Sequence, residues 1–156
     1  TRFPYTTLFR SGGITIVDDY AHHPSEVTAT LAAARARFGS RRIWVVWQPH
    51  TFSRTRLLQE EFSRSFGNAD NVIVTEIYPA REPLPDDGFS SRVLVEKIRL
   101  LPTMVGKQVV YVSSIEEAIT KLQKKLKKSD VLLVLSAGDA NRISDTLVSA
   151  PIFKDN

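Results

Sequence analysis

Residues 14–24 read ITIVDDYAHHP, and this stretch decides the fold. The apolar run at 14–17 predicts a strand, and the periodic pattern that begins at Pro24 predicts a helix. Between them lie two carboxylates, a phenol and two imidazoles. In an open α/β sheet, ligands bind at the turns that follow the carboxyl ends of the strands. We therefore interpret this turn as a binding site as well as a connection.

The same alternation of apolar runs and amphipathic segments continues along the chain. Strands are predicted at 14–18, 43–47, 71–77, 108–112 and 131–135, and helices at 24–38, 53–66, 90–101, 114–126 and 139–149. Strands that alternate with helices favour a mostly parallel sheet with helices on both faces. The predicted fold class is α/β, with a three-layer, Rossmann-like sheet.

The first eleven residues, TRFPYTTLFRS, match neither a helical nor a strand period. We interpret residues 1–11 as a cloning or sequencing scar or a linker remnant, and exclude them from the predicted fold. The predicted domain then spans residues 12–156.

Composition limits the class of protein. The 156 residues are 42% hydrophobic and 24% charged, as in ordinary globular proteins. Cysteine is absent, which excludes disulfides and thiolate metal sites within this chain and fits a reducing compartment. Neither a membrane-spanning run nor a secretory signal is present, so we expect no membrane partner and a cytoplasmic location.

The formal net charge of +4 suits an anionic ligand such as a nucleotide. The basic run at 124–128, KKLKK, also raises the hypothesis of an RNA-binding domain. However, Leu122 and Leu126 are spaced as the buried side of a helix, which places the lysines on a solvated face. We therefore expect no nucleic-acid partner.

A second polar turn, QPHTFSRTR at 48–56, follows the second predicted strand. Ser53 suits the cap of the next helix. Arg54 lies four residues before Leu58, on the row that faces the sheet, so its guanidinium should point over the strand ends. An anion held between this arginine and the free helix amides would explain the placement, and a carboxylate fits its geometry. The alternative is a salt bridge to an acid in a neighbouring loop.

The first turn suits a nucleoside or a small polar substrate. Asp19 can accept hydrogen bonds from vicinal hydroxyls, as acidic residues do from ribose in dinucleotide folds. Tyr20, His22 and His23 offer flat faces with polar tips. His23 occupies a helix-cap position that Ser, Thr, Asp or Asn would fill better, which suggests another purpose.

A third turn, SAGDAN at 136–141, is a weaker signal. Gly138 allows close approach of the backbone, and Asp139 is predicted to cap the last helix. No phosphate-binding loop of the Gly-x-x-x-x-Gly-Lys type accompanies these turns. The chain therefore has nothing that would grip a triphosphate and its magnesium unaided.

Three motifs carry a resemblance to a known family: DDYAHHPSEV at 18–27, QPHTFSRTR at 48–56 and IYPARE at 77–82. Over about residues 12–149 the chain resembles the carboxyl-terminal domain of the Mur ligases. The resemblance implies a domain of an ATP-dependent amide ligase of peptidoglycan synthesis, which joins L-alanine to the carboxylate of UDP-N-acetylmuramate. It also implies that the amino-terminal UDP-binding and central ATP-binding domains are absent here, so that this fragment is inactive alone.

The resemblance implies roles for individual residues. The residues expected around L-alanine are Tyr20, His22, His50 and Arg54, with Arg54 on the alanine carboxylate. Asp19 and His23 are expected at the ATP, and Asp18, Gly138 and Asp139 are further candidates. ATP and Mg²⁺ serve the complete enzyme, but no magnesium ligand and no catalytic residue is expected in this chain.

Two other functions stay open at this point. One is the related ligase that attaches a recycled murein tripeptide to the same sugar. The other is a non-catalytic α/β module that binds a nucleotide or another anion.

Overall fold

The computed structural model describes residues 6–153. Its strands are β1 (Thr6–Ser11), β2 (Ile14–Asp19), β3 (Ile43–Gln48), β4 (Asn71–Thr75), β5 (Gln108–Val112) and β6 (Val131–Ser136). Its α-helices are α1 (Pro24–Phe38), α2 (Phe52–Leu57), α3 (Gln59–Ser63), α4 (Ser91–Arg99), α5 (Ile115–Lys125) and α6 (Asn141–Ser149). None of these helices is long and apolar enough to span a membrane.

The strands form one sheet in the order β1-β2-β6-β3-β4-β5. Every neighbouring pair from β2 to β5 is parallel, and only β1 runs antiparallel. This confirms the predicted mostly parallel α/β fold. Because β6 is inserted between β2 and β3, the turns that follow these three strands meet at one edge of the sheet. Such a change of strand order is where ligands bind in doubly wound folds.

The two faces of the sheet bury separate apolar clusters, as the three-layer prediction requires. Along β3, Val45 and Trp47 face the cluster covered by α1, α3 and α4, whereas Trp44 and Val46 face the other cluster. The ring of Trp47 packs at 4.7 Å from Phe62 and at 5.2 Å from Phe66, measured between centroids. The continuous apolar run in β3 reflects burial on both faces.

The exclusion of residues 1–11 from the fold is wrong for residues 6–11. β1 pairs with β2 along its whole length, from Thr6 opposite Asp19 to Ser11 opposite Ile14. The hydroxyl of Ser11 is buried and donates to the carbonyl of Leu147 at 2.9 Å. An edge strand pairs through its backbone N–H and C=O groups, which do not depend on the side chains. The side-chain pattern of residues 6–11 therefore did not predict a strand. Residues 1–5 lie outside the described range, and the origin of the segment stays a prediction.

The helix predicted at 53–66 is two short helices. α2 ends at Leu57 and α3 begins at Gln59, with Leu58 at the junction (φ −107°, ψ 17°). The predicted apolar row is nevertheless confirmed, because Phe62 and Phe66 are buried and Leu58 is half-buried. The row is therefore buried against Trp47 even though the helix is interrupted at Leu58.

The basic run at 124–128 follows the predicted pattern. Leu122 and Leu126 are buried, whereas Lys124, Lys125 and Lys127 are exposed. Lysines in the last turn of a helix also interact favourably with its dipole. The run is therefore explained as the solvent side of α5.

Candidate functional site

Four of the predicted site residues meet where β2 and β3 end. The ring of Tyr20 contacts His22 edge-on, with centroids 5.4 Å apart. The His22 and His50 rings are 6.4 Å apart, and Nη1 of Arg54 lies 3.4 Å from Nδ1 of His50. The structure thus brings the four predicted alanine-binding residues into one continuous group of contacts.

The turn after β2 is held by its own polar groups. One oxygen of Asp19 accepts the N–H of Ala21 at 2.8 Å, and the other accepts the hydroxyl of Thr30 at 3.0 Å. These bonds fix the path of the chain on both sides of Tyr20, whose side chain is 58% exposed. Burial raises the pKa of Asp19, and the two hydrogen bonds oppose that rise.

His23 is the cap of α1, and Pro24 is its first residue, as predicted. Nδ1 of His23 accepts the N–H of Ser25 at 3.3 Å. The carboxylate of Glu26 accepts the N–H groups of His22 and His23, which lowers the pKa of Glu26. The histidine therefore has a structural reason to stand at this position, and a role at ATP stays a prediction.

The prediction that Ser53 caps α2 is wrong. The cap position belongs to Thr51, whose φ is +65° and whose own side chain makes no capping hydrogen bond. Ser53 instead donates its N–H and its hydroxyl to the carboxylate of Glu82. This lowers the pKa of Glu82 and places an acid from the loop at 78–88 on the helix amides where a ligand anion was expected. Arg54 is left to face His50.

Burial and neighbouring charges together act on the pKa of His50. Burial lowers the pKa of His50, and the charges of Arg54 and His22 lower it further, against the opposing effect of Glu82. An arginine can only donate, so the Arg54 contact requires an unprotonated Nδ1 on His50. His50 is therefore a neutral imidazole that carries its proton on Nε2, beside a permanent cation. This pair suits a carboxylate.

Tyr78 is the residue that the site prediction missed. Its ring stacks on His50, with centroids 5.6 Å apart and planes 22° apart. The IYPARE motif contains Tyr78, but nothing in its spacing links this tyrosine to His50. The contact arises because residues 50 and 78 form an isolated parallel bridge beyond the ends of β3 and β4.

A cavity of about 380 Å³ adjoins this group. It is lined by four predicted site residues, Asp18, Asp19, Tyr20 and Gly138, together with Thr7, Val134, Ser136 and Asn141. Tyr20 belongs both to the cavity and to the group around Arg54. A ligand in the cavity would therefore lie next to one held by His50 and Arg54.

The turn after β6 is fixed by the buried amide of Gln48. Its Oε1 accepts from the hydroxyl of Ser136 at 2.7 Å and from the N–H groups of Asp139 and Ala140. Its Nε2 donates to Asp139 Oδ1 at 2.8 Å. The prediction that Asp139 caps α6 is wrong, because the cap position is Ala140, whose own side chain has no hydrogen-bonding group. Asp139 instead ties this turn to β3.

Gly138 is required by close packing. A Cβ at this position would lie 2.6 Å from Oε1 of Gln48 and 2.7 Å from Cγ of Tyr78. The close approach predicted at Gly138 is thus made to neighbouring side chains of the site itself.

Asp18 is half-buried beside the cavity and accepts a hydrogen bond from Ser144. Burial raises its pKa from 3.8 to about 6; the Ser144 hydroxyl opposes this, and the nearby charge of Asp145 adds to it. The folded chain therefore binds the Asp18 proton more tightly than the unfolded chain, so the protonated carboxyl stabilises the fold. This contribution to the free energy of unfolding is present below about pH 3.8 and lost as pH rises through about 6.

We expect Asp18→Asn to remove this pH dependence. The test compares free energies of unfolding, from urea titrations, for the wild type and the variant between about pH 4 and 7. The wild type should lose stability relative to Asp18→Asn across that range, because its folded form must give up a proton. Asp145→Asn is the matched control and should move the loss to lower pH. Parallel curves for wild type and Asp18→Asn would contradict the assignment.

Within residues 6–153, no three His, Asp or Glu side chains cluster as potential metal ligands. The polar groups present suit an organic ligand with a carboxylate and hydroxyls.

These features define a Rossmann-like α/β domain whose candidate ligand site lies at the point where the strand order changes. The family model described as "Mur ligase, glutamate ligase domain" matches residues 2–138. The chain therefore belongs to the Mur ligase family and corresponds to its carboxyl-terminal domain.

The relatives of the chain include characterised classes of ligase. It is 48% identical over 137 residues to the UDP-N-acetylmuramate–L-alanine ligase of a Sulfurihydrogenibium species, which covers 88% of this chain and 29% of that protein. It is 44% identical over 136 residues to the enzyme of the same name from Persephonella marina, with 87% and 29% covered. The chain thus spans less than a third of the length of these relatives.

Solved structures agree with this fold. The UDP-N-acetylmuramate–alanine ligase of Thermotoga maritima matches with a TM-score of 0.65 at 27% identity, over 95% of this chain and 29% of that one. The murein peptide ligase of Psychrobacter arcticus matches with a TM-score of 0.71 at 24% identity, over 92% and 28%. At that identity the second match supports the fold alone.

Proposed function

We propose that this chain is the carboxyl-terminal, amino-acid-delivering domain of an ATP-dependent ligase that joins L-alanine to the carboxylate of UDP-N-acetylmuramate. The observation that carries the proposal is the meeting of Tyr20, His22, His50 and Arg54 at one edge of the sheet. The names of the two relatives described above, both more than 40% identical to this chain, support the choice of substrate.

The proposed binding mode follows from the charges. The carboxylate of L-alanine is held by the Arg54 guanidinium, since charge-assisted hydrogen bonds are the strong ones, and Nδ1 of His50 holds that guanidinium in place. The imidazole beside Arg54 is neutral, so a bound carboxylate would supply the negative charge that balances the guanidinium. The rings of Tyr20 and His22 then border the rest of the amino acid.

Orientation is the contribution of this domain to the reaction. In the proposed reaction, the amine of L-alanine attacks the carbonyl of an acyl phosphate, a C–N bond forms and phosphate leaves. A nucleophile held near the acyl carbon reacts in an effectively unimolecular step, which lowers the barrier substantially. The acyl phosphate and the metal belong to the parts of the enzyme outside this chain.

The cavity beside Tyr20 is the proposed place of the ATP ribose. Each oxygen of Asp19 accepts one hydrogen bond from the protein and keeps a lone pair for a ribose hydroxyl. Asp18 and Gly138 border the same space. ATP and UDP-N-acetylmuramate are substrates of the complete enzyme in this proposal, and a cytoplasmic location stays a prediction.

The substrate is tested by the phosphate released by the complete ligase that contains this domain. With UDP-N-acetylmuramate and ATP present, we expect release to depend on L-alanine and not on the murein tripeptide. Release with the tripeptide alone would favour the recycling ligase. The isolated chain is the control and should release none.

The non-catalytic module is tested by calorimetry on the isolated chain. Micromolar binding of ATP would favour the module, because the proposed ligase domain offers few phosphate contacts by itself. RNA binding that falls steeply with added salt would favour the RNA-binding hypothesis.

A further inference from the structure

The backbone of Tyr78 is clamped to the segment that carries His50. The N–H of Tyr78 donates to the carbonyl of Pro49 at 2.8 Å, and its own carbonyl accepts the N–H of Thr51 at 2.8 Å. These two bonds lie on either side of His50 in the sequence. The position of Tyr78 relative to His50 is therefore fixed at the level of the main chain.

The ring of Tyr78 is confined as well. On one side it stacks on the imidazole of His50. On another side Gly138 lies so close that an added Cβ would reach 2.7 Å from Cγ and 2.9 Å from Cδ2 of the tyrosine. A ring held between two such neighbours has little freedom to turn, so it restricts the imidazole that stacks on it.

His50 has two orientations that matter chemically. With Nδ1 toward Arg54, it accepts the guanidinium N–H and presents Nε2–H to a ligand. With the ring reversed, Arg54 would lose this contact and the donor would change atoms. The charged groups that act on the pKa of His50 are Arg54, His22 and Glu82.

We propose that Tyr78 is a positioning residue, which holds the plane of the His50 imidazole so that its Nδ1 accepts from Arg54, and thereby places the guanidinium that receives the amino-acid carboxylate. This inference rests on the proposed function for the identity of the carboxylate. Its structural half, the control of His50 by Tyr78, is independent of that identity.

The structural half is tested on the chain itself by nitrogen NMR of its histidines. The chain contains three histidines, so the His50 signals can be assigned by their loss in His50→Gln. In Tyr78→Leu, which keeps apolar bulk without a flat ring, the pKa of His50 should rise toward its ordinary value because the imidazole becomes more exposed. Its nitrogen shifts should also report a mixture of tautomers.

Two variants control this measurement. Tyr78→Phe keeps the ring and should leave His50 as in the wild type. Tyr111→Leu makes the same change at another half-buried tyrosine, on β5, and should also leave His50 unchanged. A wild-type titration and tautomer of His50 in Tyr78→Leu would overturn the proposal.

The functional half is tested in the complete ligase. Tyr78→Leu should raise the apparent KM for L-alanine about 3- to 10-fold with little change in kcat, and Tyr78→Phe should restore the wild-type KM. If His50 changes in the NMR spectra but the KM for L-alanine does not, the positioning of His50 stands and the proposed alanine site fails. If Tyr78→Leu does not fold, Tyr78→Phe decides: a disturbed His50 in this variant, which keeps the ring, would overturn the proposal.

Discussion

Replacing Arg54 by alanine should raise the apparent KM of the complete ligase for L-alanine about 10- to 100-fold. A hydrogen bond to a charged group contributes about 1.5–3 kcal/mol, and each 1.4 kcal/mol is a factor of ten in affinity. Arg54 lies against His50 at the carboxyl end of β3, where the carboxylate is proposed to bind. The KM for ATP should stay within about twofold, because the cavity proposed for the ribose is lined by other residues.

The matched control is Arg56→Ala. Arg56 is on the same short helix, but its guanidinium pairs with Asp87 at 2.9 Å and stacks over Phe89. This exposed pair should contribute little, so neither KM should change noticeably. Arg54→Lys keeps the charge without the planar fork and should recover only part of the lost affinity. Equal increases in the KM for L-alanine and for ATP would count against the assignment.

Replacing Gly138 by alanine should destabilise the domain by about 1–3 kcal/mol, the usual cost of forcing extra volume into a packed site. The added methyl group would lie 2.6 Å from Oε1 of Gln48 and 2.7 Å from Tyr78. Gln48 is buried and holds the turn after β6 by several hydrogen bonds, so it cannot move without breaking them. The free energy of unfolding from urea titration measures this effect.

The same substitution should reach the ligand site through Tyr78. Displacement of the ring should disturb His50 and raise the KM for L-alanine along with the loss of stability. Gly67→Ala is the control, since a Cβ there meets only Thr103 at an ordinary 3.6 Å and Gly67 has no positive φ. If Gly138→Ala and Gly67→Ala have the same stability, the close approach at Gly138 is not a constraint.

Regular elements with strong periodicity could be predicted from the sequence. The bounds of α1 agree with the prediction, because a proline at its first position and a glycine after its last are local signals. The turn after β2 could also be recognised as a site, since its residues follow one another in the chain. The convergence of Tyr20, His22, His50 and Arg54 followed from the rule that parallel strands end at the same edge.

Local chemistry misled the prediction where a distant partner was involved. Ser53 was expected to cap α2, but it binds Glu82 from a loop 29 residues away. Asp139 was expected to cap α6, but the amide of Gln48 takes its carboxylate. Propensities describe a residue with its neighbours in sequence and contain no information about such partners.

The sequence by itself determined the class of fold, the family and most of the residues of the candidate site, because hydrophobic period and motif are properties of neighbours along the chain. Only the tertiary structure decided that β6 enters between β2 and β3, that residues 6–11 pair along the sheet edge, and that Tyr78 stacks on His50. These features depend on which backbone groups and surfaces meet after the chain has collapsed. Strand order and ring contacts are set by packing between segments far apart in sequence, and no local pattern specifies them.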